Sequence, residues 1–283
     1  MYSMPLQHKL LILTDLDGTL LDYFTYSLNQ ASESLEVLQE LDVPIIVISS
    51  KTRAEIDYML NRSNFSGIFA SENGSAVFID RDLGLKFTQT SYVSGSFSVI
   101  QLGQSYARII DTIRQAKVYC DADVRGFADM SAKEVAHITG LDLEAAERAK
   151  QREFSEPVLF HGSREQLIKF QGYLKDSGLS WLMGGRFLHV LGQCDKGLAA
   201  QIIINLFTAN FPITPWKTVG LGDGPNDIPL LQVVNVPVLV ARPDNSYTEL
   251  PTELNSRVMK APGVGPEGWN NTILHLLRKE GLL

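Results

Sequence analysis

Paired carboxylates are the first residues in this chain whose types and spacing could do chemistry. In "LLILTDLDGTLLD" (Leu10–Asp22) an apolar run leads straight into Asp15, with Asp17 two residues later and Gly18 after it. Acids this close repel each other, and burying them unpaired is costly. A divalent cation is the first candidate for compensation. A calcium loop does not fit, because placing Gly18 at the turn position puts Leu13 and Phe24 where the outer ligands belong. A sugar-nucleotide transferase also carries an Asp-x-Asp metal site, but it needs a larger nucleotide-binding domain. A plain structural reading, with Asp17 capping and Gly18 turning, suits the second acid and leaves Asp15 unexplained. The remaining reading is a magnesium-held aspartyl nucleophile. Asp15 would attack phosphorus, and Asp17 would protonate the leaving oxygen and then deprotonate water.

A second acidic cluster supplies what such a site lacks. In "GDGPND" (Gly222–Asp227) Asp223 offers the metal another charged oxygen, and Asp227 would ligate it or orient a metal-bound water. By itself the segment is also an ordinary acidic turn before a proline-started helix. Phosphate adds negative charge, so the protein must contribute donors and cations too. Ser49 and Ser50 close an apolar run where hydroxyl and backbone N–H groups could hold phosphate, although Ser49 also reads as an N-cap. Lys196 in "CDKG" would place a point charge on the phosphoryl oxygens. A lysine at a helix start opposes the macrodipole, which favours that reading over a solvated one.

The elements that must position these residues follow from hydrophobic periodicity. Lys9–Thr14, Val43–Ser50, Gly67–Gly74 and Val236–Arg242 are short continuous apolar runs, and helical periodicity separates them. Such alternation predicts an α/β fold, a doubly wound Rossmann-like parallel sheet covered on both faces. Ligands of such sheets bind beyond the carboxyl ends of the strands. Three of these runs, and a further one in "TVGLGDGPND", end in loaded loops: Asp15/Asp17, Ser49-Ser50-Lys51, Glu72-Asn73-Gly74 and Asp223/Asn226/Asp227. Between about residues 86 and 192 the runs are shorter and less apolar. "SAKEVAHITG" carries a Ser131–Glu134 capping box there, and "LSWLMGGRFLHVLG" reads as a hairpin turning at Gly184-Gly185. This stretch is expected to be an inserted α+β cap domain, flanked by core segments 1–85 and 193–283.

Composition narrows the class. A hydrophobic content of 45% with 20% charged residues is ordinary for a soluble globular protein. The net charge of −7 argues against general affinity for nucleic acid or anionic membrane. No apolar run reaches the ~18 residues of a spanning helix, and "MYSMPLQHK" lacks a signal-peptide core, so a cytoplasmic protein is expected. Cys120 and Cys194 are the two cysteines, and their separation gives neither a disulfide scaffold nor a zinc site.

"DLDGTL", a serine closing the second run, a lysine after the insert and "GDGPND" together resemble the haloacid dehalogenase-like phosphohydrolases. "ISSKTRAEI", "SENGSAVFI", "AKQREFSEP" and "GGRFLHVLGQCDKG" are similar to the mannosyl-3-phosphoglycerate phosphatases within them. That resemblance implies a magnesium enzyme that cleaves phosphate from a glycosyl-phosphoglycerate. Asp15 is then the nucleophile and Asp17 the acid/base, with Asp15, the Asp17 carbonyl and Asp223 on the metal. Sucrose-phosphate or hexose-phosphate phosphatases, phosphomutases and a non-catalytic sensor are the alternatives. A phosphoglycerate also carries a carboxylate, which calls for further cations. Lys51, Arg53 and Arg186 are the candidates, each with a surface or turn role as its alternative. Glu72, Asn73 and His189 are candidates for sugar hydroxyls. For Glu72 and Asn73 turn chemistry is the alternative, and for His189 a structural role.

Overall fold

A computed structural model describes residues 9–60, 65–184 and 187–283. Its strands are β1 (Lys9–Thr14), β2 (Ile45–Ile48), β3 (Ile68–Ser71), β4 (Ala76–Asp80), β5 (Tyr92–Ser94), β6 (Phe97–Gln101), β7 (Asp123–Gly126), β8 (Ser155–His161), β9 (Ser180–Gly184), β10 (Phe187–Leu191), β11 (Trp216–Gly222), β12 (Val236–Ala241) and β13 (Met259–Val264). Its helices are α1 (Ser32–Glu40), α2 (Arg53–Leu60), α3 (Tyr106–Cys120), α4 (Ala132–Thr139), α5 (Leu143–Ala149), α6 (Arg164–Asp176), α7 (Lys196–Asn210), α8 (Ile228–Val233), α9 (Thr252–Asn255) and α10 (Gly265–Lys279).

Alternation along β1 explains the layers. Leu10 and Ile12 face one way, packing with Ala31, Leu38, Trp269 and Ile273 from the α1 and α10 side. Leu11 and Leu13 face the other way, against Ala199, Ala200 and Ile203 of α7 and Leu230 of α8. Both faces are covered, so the run has to be apolar throughout. The sheet runs β13-β12-β11-β1-β2-β3-β4-β6-β5. From β13 to β3 its pairs are parallel, and β4, β6 and β5 add antiparallel pairs. The chain lays β2 and β3 on one side of β1 and later β11 to β13 on the other. β1 is therefore the switch point, and the ends of β2 and β11 flank the end of β1.

A second, antiparallel sheet in the order β7-β8-β10-β9 carries α3 and α6 on one face. Phe127, Met130, Val135, Ala146, Ala149 and Phe187 form a separate apolar cluster with α4 and α5. The expected domain boundary needs correction here. β5 and β6 join the large sheet, which moves the first crossing from residue 86 to about Gly103. β6 is half-exposed in places, as an antiparallel strand near a sheet edge can be, so it lacks the continuous apolar run that marked its neighbours. A Cβ on Gly192 would stand 2.8 Å from the Gly103 Cα, so the two crossings lie side by side. β9 and β10 pair antiparallel as the expected hairpin does, while Gly185 and Arg186 lie outside the described residues. Among the described residues no helix is long and apolar enough to cross a membrane.

Candidate active site

The end of β1 delivers Asp15 into a buried cluster. Its backbone N–H donates to the Leu221 carbonyl of β11 at 3.0 Å. Thr14 Oγ1 donates to the Asp15 carbonyl at 2.8 Å, and the indole N–H of fully buried Trp269 donates to Thr14 Oγ1 at 3.1 Å. Asp15 is only 5% exposed. Lys196, at the first turn of α7 and fully buried, reaches Asp15 Oδ1 at 2.7 Å and Asp227 Oδ1 at 2.6 Å. Gly74, at φ +84°, permits that approach, because a Cβ there would lie 2.2 Å from the Asp195 carbonyl oxygen just before Lys196.

Carboxylate oxygens of Asp15, Asp223 and Asp227 lie within 4.8 Å of one another. Gly18, at φ +76°, makes room for this, since a Cβ would stand 3.0 Å from Asp223 Oδ2. Thr19 Oγ1 donates to Asp223 Oδ1 at 3.0 Å. Asp227 has little left to offer. Its Oδ1 holds Lys196, and its Oδ2 accepts the Asp223 and Gly224 N–H groups at 3.0 and 2.9 Å. That suits the orienting role better than the ligating one.

Charge in the cluster does not balance by itself. Burial pushes Asp15 up to about 8, with Lys196 opposing and Asp227, Asp223 and Asp17 adding to the rise. Burial followed by Asp227 raises Asp223 to about 7. Burial works against the Lys196 ammonium, but Asp15 and Asp227 outweigh it and hold the lysine charged. Three acids against one lysine leave an excess negative charge among all-oxygen donors, which a hard divalent cation would offset. The cluster fits a metal, and Asp15 and Asp223 have the oxygens to hold it.

Asp17 faces away from this cluster, toward the cap. Its Oδ1 lies 2.8 Å from Lys51 Nζ, and Glu55 stands 3.6 Å from the same nitrogen. Asp17, Ser50 and Lys51 line a cavity of about 120 Å³ whose opposite wall comes from the smaller sheet. Ser49 is fully buried and its Oγ accepts the Lys51 N–H at 3.3 Å. It is not the cap of α2. Thr52 takes that part, accepting the Glu55 N–H and pairing with the Glu55 carboxylate. Asn73 accepts from Asn226 Nδ2 at 3.1 Å, tying the β3 loop to the β11 loop.

Other expectations are not met in this way. Arg53 donates to Ser94 Oγ at 2.7 Å, pairs with Asp57 at 3.3 Å and lies over the Phe78 and Phe97 rings. It lines a larger cavity of about 400 Å³, together with Asp57, Gln151, Arg152 and Glu153, which none of the clustered aspartates borders. Glu72 is fully buried rather than turned toward a ligand. It accepts the Glu153 and Phe154 N–H groups and the Ser155 hydroxyl, and pairs with Arg152 at 3.2 Å. Arg186 lies outside the described residues. Sequence reasoning did not single out Thr14, Thr19, Trp269 or Arg152. Thr19 sits inside the quoted "DLDGT", whereas Trp269 carries no local signal for a partner 255 positions away.

A family model of haloacid dehalogenase-like hydrolases matches residues 12–250. The chain belongs to that family. It is 36% identical over 271 residues to a glucosyl-3-phosphoglycerate/mannosyl-3-phosphoglycerate phosphatase of Methanococcoides burtonii, covering 96% of this chain and 98% of the relative. A phosphatase of the same description from Persephonella marina is 34% identical over 276 residues, covering 95% and 98%. Within the hydrolase family, this chain falls with those two phosphatases. The fold is that of a haloalkanoate-superfamily phosphatase from Bacteroides thetaiotaomicron, at a TM-score of 0.64, 17% identity and coverage of 100% and 99%.

Proposed function

We propose that this hydrolase is a magnesium-dependent phosphomonoesterase that cleaves a glycosyl-3-phosphoglycerate, with the mannosyl compound preferred, to glycosylglycerate and phosphate. One observation carries the reading: a buried Asp15 is held by Lys196 at 2.7 Å beside Asp223 and Asp227, while Asp17 faces the cavity under the cap. Asp15 attacks phosphorus and forms an aspartyl-phosphate as the ester oxygen leaves. Asp17 gives that oxygen its proton, then takes one from the water that hydrolyses the intermediate. Lys196 lies against phosphoryl charge from one side, and Ser49 and Ser50 offer donors at the end of β2. A magnesium ion would be held by Asp15 and Asp223, with the Asp17 carbonyl as the resemblance implies, and would supply the remaining positive charge.

The substrate class is supported by the two relatives' names and by the cations at the cavity. Lys51 and Arg152 both line it, already paired with Asp17 and Glu72, and a substrate carboxylate would add a further acceptor beside them. Such a charged metabolite belongs with a cytoplasmic reaction. The test is phosphate release from mannosyl- and glucosyl-3-phosphoglycerate side by side, with magnesium and with chelator. Turnover of the mannosyl compound above the glucosyl one, lost in chelator, is the expected result. Absence of release from both would end the reading, and faster turnover of a hexose phosphate would move it to the sugar-phosphatase alternative.

A further inference from the structure

Asp223 is gripped by its main chain as well as by its side chain. Its N–H donates to Asp227 Oδ2 at 3.0 Å, and its carbonyl accepts from Thr248 Oγ1 at 2.6 Å. Thr248 lies in the loop after β12, the strand that pairs with β11 on the side away from β1. That loop closes on itself to bring the threonine back. The Arg242 N–H donates to the Ser246 carbonyl at 2.9 Å and the Asn245 N–H to the Arg242 carbonyl at 2.8 Å, with Asn245 at φ +61°. Asparagine tolerates that left-handed conformation. Arg242 Nη2 then donates to Thr248 Oγ1 at 2.6 Å. A hydroxyl has one proton, and a guanidinium can only donate, so the threonine's proton is committed to the Asp223 carbonyl.

The same arrangement stands behind Asp15. The Trp269 indole N–H, also a donor only, meets Thr14 Oγ1 at 3.1 Å, and Thr14 Oγ1 donates to the Asp15 carbonyl at 2.8 Å. Thr14, Thr248 and Trp269 are all buried. The two acids with oxygens to hold a metal are thus each tied through the carbonyl to a threonine whose direction is set from elsewhere in the fold. Such ties matter because buried carboxylates repel one another, and an acid on a loose peptide would swing away from its neighbours. Ligand orientation set from behind in this way tunes metal affinity.

We propose that Arg242 and Thr248 are positioning residues of the hydrolase, which fix the Asp223 peptide so that its carboxylate stays beside Asp15 to receive a divalent cation. This rests on the magnesium site of the function proposed above. Arg242 acts through Thr248, and Thr248 acts through the Asp223 main chain. Neither is among the described residues that line the cavity under the cap. Their contribution is therefore to metal affinity, and substrate contacts are left alone.

The experiment titrates magnesium calorimetrically into the full-length, chelator-stripped protein as wild type, T248V and T248S. Valine keeps the shape and removes the hydroxyl, whereas serine keeps the hydroxyl and removes a methyl. T248V is expected to raise the magnesium Kd about tenfold, and T248S to stay within about threefold of wild type. KM for mannosyl-3-phosphoglycerate at saturating magnesium should hold within about twofold in both. An unchanged Kd in T248V, or an equal loss in T248S, overturns the assignment, since a packing role follows the methyl and not the hydroxyl. Should T248V fail to fold, R242M withdraws the donor behind the threonine and should raise Kd about fivefold; an unchanged value there is equally fatal. A wild type that binds magnesium yet releases no phosphate ends the function proposed above, while the Kd comparison still decides the positioning role. A wild type that takes up no magnesium ends both.

Discussion

The floor, from the buried acid cluster up to Asp17 and Lys51, and the cap wall across the small cavity from those two are built on opposite principles. At the floor, charges crowd together. Asp15, Asp223 and Asp227 share a single buried lysine, and the geometry stands because strand ends and the Gly18 turn leave no other place for them. On the cap side Phe127, Phe187 and His189 make the wall aromatic, and burial keeps the imidazole uncharged. Charge there is used for attachment. Glu72 reaches out of the β3 loop to hold Arg152 and the backbone of residues 153 and 154, and Thr52 donates to the Arg148 carbonyl at 2.9 Å. The contrast teaches that a cluster of charge and an aromatic wall are held by separate sets of contacts. A change in one region should spare the other's observable.

Asp15→Asn is the sharpest break on the floor side. Phosphate release should fall by at least about 10³-fold, since an amide cannot act as the nucleophile. Melting temperature should hold or rise, because burial and neighbouring acids already disfavour the Asp15 charge. A variant that keeps its turnover would show that another group attacks.

Glu72→Gln is the reverse case. It leaves the buried Arg152 guanidinium without its counter-charge and should cost about 3 kcal/mol in denaturant unfolding. Amide exchange should rise first around residues 152–155, while the Asp15 cluster keeps its affinity for magnesium. An unaltered unfolding midpoint would mean that Glu72 does not anchor the cap.

Metal and pH sharpen the charge argument with a smaller effect. Asp15 and Asp223 stand at about 8 and about 7, above the usual value near 4 of an unfolded carboxyl. The folded state then binds more protons than the unfolded one, so without metal its stability should fall as pH rises from about 4 to about 8. Magnesium at a hundred times its dissociation constant should restore roughly 2.7 kcal/mol at the alkaline end. Melting curves at pH 5 and pH 8, with chelator and with magnesium, check this. A chelated protein more stable at pH 8 than at pH 5 would contradict the assigned charges.

Arg53→Ala should have the smallest effect. Loss of its packing over Phe78 and Phe97 and of its bond to Ser94 should cost about 1 kcal/mol, with KM for the glycosyl substrate within about twofold of wild type. A large rise in KM would return Arg53 to the substrate.

The floor was legible before any fold was seen because its signals are local. A strand buried on both faces has to read as "LLILT", and the turn after it holds the acids within a few residues. Asp15 and Asp223 then meet because parallel β1 and β11 end on one side of the sheet, and Lys196 reaches them from the first turn of α7. β5 and β6 escaped assignment to the core because a half-exposed antiparallel strand has no apolar run to announce it. Arg53 and Glu72 carry no local signal that separates their two readings, for a related reason. Their types suit a ligand, and whether a charged group faces a cavity or a structural partner depends on what packs opposite.

Sequence by itself determined the α/β alternation, the acidic pair at the first strand end and its second cluster, because periodicity and short spacings are properties of the local chain. Tertiary structure decided that Glu72 holds Arg152, that Trp269 steadies Thr14 beside Asp15, and that His189 lines the same cavity as Asp17 and Lys51. Those contacts join residues roughly 80 to 255 positions apart. They exist only once two packed cores have fixed which faces meet.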